Sequence, residues 1–179
     1  SAVQLPCRFE ACATALARAM LADTPTVVIA LGQAAGRSDV SVERVAINID
    51  DAPIADNGDA QPNDRPIVTD APPAYFSTLP IKRIVATLRA QGIPASVSQT
   101  AGTFVCNHLF FHLMHRIATA HPAVTGGFIH LPMLPQQAAG QAGMPSMALE
   151  TMVAGIRTAV AVSLDADLGA TDRVGGAVA

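Results

Sequence analysis

Three side chains in this 179-residue chain stand where chemistry could be done: Cys106, His130 and Glu43. Cys106 lies in SQTAGTFVCNHLFFH, where a strand end and a turn lead into a helix whose first turn holds the thiol. A helix N-terminus carries partial positive charge and unpaired N–H groups, so this placement predicts a thiolate stabilised below the ordinary pKa of about 8.5. A strand–turn–helix unit also aims a nucleophile at the carboxyl end of a parallel sheet. A small buried hydrophobe is the competing reading of a lone cysteine. His130, in GGFIHLPMLP, closes the following strand. If the two strands are neighbours, thiol and imidazole share one sheet edge, as a Cys–His pair requires. A core histidine at a strand end is the alternative. Glu43, in DVSVERVAINI, is a carboxylate inside an alternating strand and must find a partner if buried. It could orient an imidazole as the third member of a triad, or face solvent beside Arg37 or Arg44.

Other groups compete for attention. His108, His112 and His115 fall at i, i+4 and i+7 on one helix face, a spacing that can ligate zinc. That face offers no obvious carboxylate or cysteine, so a half-buried, hydrogen-bonded helix face is the better reading, with His121 beyond it. GQAAGR at 32–37 looks like an anion loop but precedes a strand rather than a helix, which makes it a weak phosphate motif.

The elements that must position these residues follow from periodicity. A helix is expected over 10–22, a short apolar strand buried on both faces over 26–31, a loop over 32–37 and an alternating strand over 40–49. Residues 3–5 read as a further short strand, already in progress where the chain opens. A polar loop rich in Asp, Asn, Gly and Pro spans 50–73, and a loop of that length is usually functional. Pro80 sits well for the first turn of a helix to about Gln91 that Gly92 stops. A strand over 94–98, a helix to about Ala120, a strand over 126–131 and a loop over 132–145 come next. A last helix, N-capped by Ser146, runs to about Leu164. Strand and helix alternate, so the fold class is α/β with a mostly parallel sheet. One domain is expected over 1–164, with a flexible tail over 165–179.

Composition narrows the function classes. Half the residues are apolar, 14% are charged and mean hydropathy is +0.36, which excludes an intrinsically disordered chain. Net charge is −3 and no basic stripe appears, against a dedicated nucleic-acid binder. No apolar run reaches the roughly 18 residues of a membrane span. With so few charges, part of the surface is expected to be apolar and buried between subunits. Three cysteines without dense spacing argue against a disulfide scaffold and leave room for a reactive thiol in a reducing compartment.

Three blocks in order carry a family resemblance: GQAAGRSDVSVERVAIN, through Gly32, Val40, Ser41, Glu43, Arg44, Ala46 and Asn48; SQTAGTFVCNHLFFHLMH, with PIKRIVATLRAQGIPA upstream; and GGFIHLPMLPQQ. IADN and PPAYFSTLP fit as well, so the likeness runs to about residue 160. The chain resembles the type I pyroglutamyl peptidases. The resemblance implies a cysteine peptidase with an αβα sandwich, Cys106 as nucleophile, His130 as general base and acid, and Glu43 as the orienting carboxylate. It implies peptides with an N-terminal pyroglutamate as substrates, no metal or cofactor, a cytoplasmic location and a homotetramer. It places Gln33 where the lactam is gripped, and Ile54, Phe104 and Val105 in the apolar wall around its ring. An apolar slot with a few placed polar groups suits a small neutral lactam, and would reject proline, which lacks the ring carbonyl. Two departures stand out. The chain begins at what looks like the family's second strand, without the preceding strand and its glycine- and phenylalanine-rich loop. Cys7 occupies a position near the pocket where a hydroxyl or other small residue is expected. The first departure motivates a second reading, a catalytically impaired member that acts as an oligomeric or binding protein.

Overall fold

The computed structural model describes residues 1–165. The order is α1 (Phe9–Asp23), β1 (Val27–Gln33), β2 (Val40–Glu43), β3 (Val45–Ile47), β4 (Ala74–Phe76), α2 (Ile81–Ala90), β5 (Ala95–Ser98), α3 (Val105–Ala120), β6 (Thr125–Leu131), α4 (Pro135–Ala138) and α5 (Leu149–Leu164). Four strands form one sheet in the order β1-β6-β2-β5, while β3 and β4 make a separate two-stranded ribbon. The β1–β6 and β2–β5 pairs are parallel, and β2 meets β6 antiparallel.

Alternation sorts the strand residues into two cores. Val28, Ala30 and Phe128 pack with α1 and α3 residues such as Phe9, Leu16, Phe110 and Leu113. Val27, Ile29, Val40, Val42 and Ile129 pack with α2 and α5 residues such as Ile84, Leu88, Met152 and Ala159. Two helical layers therefore sandwich a mostly parallel mixed sheet, a three-layer α/β fold.

Several expectations are corrected. Residues 3–5 form no strand. The strand expected over 26–31 extends through Gly32 and Gln33, and because β1 is at the sheet edge it is only partly buried, with Leu31 45% exposed. The single strand expected over 40–49 divides at Arg44. There the N–H donates to the Ser98 carbonyl in the main sheet while the carbonyl accepts from Ser77 N–H beside the ribbon, so the chain changes partners at one residue. The loop over 132–145 contains the short helix α4, and α5 begins at Leu149 with Ala148, not Ser146, at its N-cap. The tail expected over 165–179 lies outside the described residues beyond Asp165.

The long segment between β3 and β4 is held by specific bonds. The Asn48 carboxamide accepts from Ile67 and Val68 N–H, both at 2.9 Å, and donates to the Val68 carbonyl. Asp50 and Arg65 exchange backbone bonds at 2.8 and 3.1 Å. Asp56 reaches back to α1, accepting Phe9 N–H at 2.8 Å as well as Gly58 and Ala60 N–H, and so supplies the cap that Arg8 does not. These donors, Phe9 first, hold its carboxyl below the usual carboxylate range.

Candidate active site

The site grows from one face of the sheet. Ser41 pairs with His130 across β2 and β6, so Glu43, two residues on, points to the same face as His130 and lies diagonally from it. His130 Nδ1 lies 2.8 Å from Glu43 Oε1, and both side chains are buried. With the Nδ1 proton donated to the carboxylate, Nε2 holds the imidazole lone pair. Glu43 does not face solvent: it is fully buried and shares Oε1 with Arg37, whose Nη1 sits 3.1 Å away. Its Oε2 is buried with no hydrogen-bond partner among the described residues.

Cys106 is the second residue of α3. Its approach to His130 does not follow the expected route, because β5 and β6 are separated by β2 and run in opposite directions. The thiol instead descends onto β1. Gly32 is the register partner of His130, and a methyl group at Gly32 would lie 2.9 Å from Cys106 Sγ and 2.8 Å from Phe128 Cζ. The missing side chain of Gly32 is thus the space the sulfur uses, one strand from the imidazole.

The electrostatics also differ from expectation. The helix start does not lower the thiol; burial pushes Cys106 up from 9.0 to about 11, with Cys7 and Glu43 adding to the rise and Arg37 opposing it. Desolvation of a thiolate outweighs the partial charge of a helix N-terminus. No side-chain cap hydrogen bond takes up the N–H groups of the first turn of α3.

The start of α3 is clamped to the segment leading out of β3. Asn107 accepts Ile47 N–H at 3.0 Å and donates to the Ile47 and Ile49 carbonyls. Thr103 and Asp51 exchange two bonds, at 2.7 and 3.0 Å. His108 Nδ1 meets both oxygens of buried Asp50 at 2.9 and 3.0 Å. His115 hydrogen-bonds to the Tyr75 hydroxyl at 2.9 Å, and the His112 ring lies tilted at 54° to that of His108, with centroids 4.6 Å apart. The histidine face is therefore occupied by other partners, and no cluster of three metal-ligating groups occurs among the described residues. Asn107 and Asp50 escaped the sequence reading, because their partners lie about 60 residues away and leave no local pattern.

The pocket residues implied by the resemblance are placed less uniformly. Gln33 ends β1 and donates to Gln137 Oε1 at 2.6 Å. Phe104 is half-buried and edge-on to Phe9, whereas Val105 packs into the α1/α3 core. Ile54 is 64% exposed, three residues beyond the Asp51–Thr103 clamp.

A family model described as pyroglutamyl peptidase matches residues 1–166. The pyrrolidone-carboxylate peptidase of Cupriavidus taiwanensis is 63% identical over 163 residues, 90% of this chain and 75% of the relative. That of Ralstonia nicotianae is 59% identical over 161 residues, again 90% and 75%. Among solved structures, pyroglutamyl peptidase I of Bacillus amyloliquefaciens superposes with a TM-score of 0.88 at 44% identity, covering 89% of this chain and 76% of that one. Pyrrolidone carboxyl peptidase of Thermococcus litoralis gives 0.87 at 41% identity, covering 89% and 75%. Sequence likeness along nearly the whole chain and the shared three-layer architecture agree: this chain belongs to the pyroglutamyl peptidase family.

Proposed function

We propose that this chain removes N-terminal pyroglutamate from peptides, with Cys106 as nucleophile, His130 as general base and acid, and Glu43 as the carboxylate that orients the imidazole. The observation that carries the reading is the buried 2.8 Å Glu43–His130 bond, with the Cys106 sulfur seated over Gly32 directly opposite His130. Because burial favours the neutral thiol, Cys106 gives its proton to His130 Nε2 as the sulfur attacks, rather than waiting as a thiolate. The new C–S bond pushes the carbonyl π pair onto oxygen, where first-turn N–H groups of α3 receive it. Collapse breaks the C–N bond, and the departing amine takes the proton from His130. Water then gives one proton to His130 while its oxygen attacks the thioester, and that proton returns to sulfur as pyroglutamate leaves.

Gln33, braced by Gln137, serves the polar edge of the lactam, and Phe104, Val105 and Ile54 its ring. Leu149, Val153, Val160 and Leu164 leave an exposed apolar stripe along α5, which suits a homo-oligomer. Cys7, Cys12 and Cys106 are all unpaired, which suits a reducing, cytoplasmic setting. No described helix is long and apolar enough to cross a membrane. The test is hydrolysis of a fluorogenic pyroglutamyl amide under reducing conditions, with Cys106→Ala beside the wild type. Turnover that disappears in the variant is expected. Turnover that survives it, or none from the folded chain, overturns the proposal.

A further inference from the structure

Arg37 stands outside the three residues discussed above, yet it reaches the same carboxylate oxygen as His130. The turn before it explains how. Arg37 N–H donates to the Ala34 carbonyl at 3.3 Å, and Gly36 adopts φ +86°, a backbone that favours glycine. The chain thereby reverses after β1 and sends the guanidinium back over the sheet. Nη1 meets Glu43 Oε1 at 3.1 Å, and Nη2 donates to the Thr100 carbonyl at 2.9 Å, six residues before Cys106. One side chain therefore ties the carboxylate to the segment that delivers the nucleophile.

We propose that Arg37 is a positioning residue that holds the Glu43 carboxylate and balances its charge, so that His130 rests as a neutral base. The inference deepens the triad reading and rests on it. A buried carboxylate beside an imidazole favours the imidazolium, which cannot accept the thiol proton. A guanidinium on the same oxygen offsets that pull, because Arg37 and Glu43 together are neutral. Other ionisable groups lie close by. From α3 comes Cys106, and from the segment before α1 comes Cys7, whose charge is felt at Cys106. Beside β2 lie Asp39, which accepts the Ser41 hydroxyl at 2.8 Å, and Arg44, next to Glu43 in the chain. Arg37 reaches the same carboxylate oxygen that holds His130.

The experiment follows the His130 imidazole by NMR titration of the full chain, assigned against His130→Gln, in wild type, Arg37→Met, Arg37→Gln and Arg37→Lys. The pH profile of kcat/KM is recorded alongside. In the two neutral variants the imidazole midpoint and the acid limb of kcat/KM should move up by about one pH unit or more, and Arg37→Lys should restore most of the shift. Arg37→Gln retains a donor for Oε1, so it separates charge from hydrogen bonding and serves if Arg37→Met does not fold. An unmoved midpoint in a folded neutral variant overturns the proposal, as does a shift that Arg37→Lys fails to reverse. Failure of the triad reading is seen separately, as turnover that survives Cys106→Ala.

Discussion

Glu43 and His130 meet diagonally across the antiparallel seam of the sheet, with Oε1 and Nδ1 2.8 Å apart and both side chains buried. The relationship joins residues 87 positions apart. It exists only because β2 enters the sheet against the direction of β6.

Glu43→Gln keeps the shape of the side chain but removes the charge that fixes the Nδ1 proton. Loss of an orienting carboxylate lets the imidazole take the wrong tautomer. We expect kcat to fall by about 10³- to 10⁴-fold with the fold retained, by analogy with the measured loss in a serine-protease triad. A variant that stays within tenfold of wild type would remove Glu43 from the mechanism.

Cys106 is held up at about 11 by burial, so its alkylation should track a thiolate that forms only at alkaline pH. Iodoacetamide labelling of Cys106, read by peptide mass mapping, should keep rising with pH past 9, while exposed Cys7 provides an internal comparison. A plateau already reached near neutral pH would mean that a thiolate is stored in the resting site.

Gly32→Ala tests the space over β1. The added methyl meets Cys106 Sγ and Phe128 at under 3 Å. Overpacking of this kind costs about 1–3 kcal/mol, and displacing the sulfur should cost about 100-fold in kcat. Denaturation midpoints and kcat measured on the same preparation separate the two effects. Wild-type kcat in the variant would show that the sulfur does not need that space.

His112 gives the fold an acid sensitivity. Burial first, and neighbouring His108 next, lower its pKa from 6.5 to about 4. Below pH 6.5 the unfolded chain binds this proton before the folded one does, so stability drains as pH falls from 6.5 towards 4. His112→Gln should flatten that slope in denaturant titrations at stepped pH. An unchanged slope would assign the acid loss to other groups.

Much was legible in the sequence. The helices over Phe9–Asp23, Ile81–Ala90 and Val105–Ala120 were readable because apolar spacing and Gly or Pro punctuation are local signals. The same holds for the strand over Thr125–Leu131, whereas the break after Glu43 left no local signal. The cysteine, histidine and glutamate stood out because each residue type sat at an element end or inside an apolar run, where a polar group needs a reason. The three motif blocks, in order, carried the family.

Only the tertiary structure decided how these parts meet. Strand order and direction depend on pairing between distant segments, so the antiparallel β2–β6 contact could not be read from either strand alone. Arg44 ends one strand and starts another because its N–H and carbonyl find partners at Ser98 and Ser77, far along the chain. The thiol shows the limit most plainly. Its helix position argued for a lowered pKa, but burial, set by what packs over residue 106, pushes it the other way. Local pattern determines which elements form and which face they bury. Long-range packing determines which charges share an oxygen, and whether water reaches them.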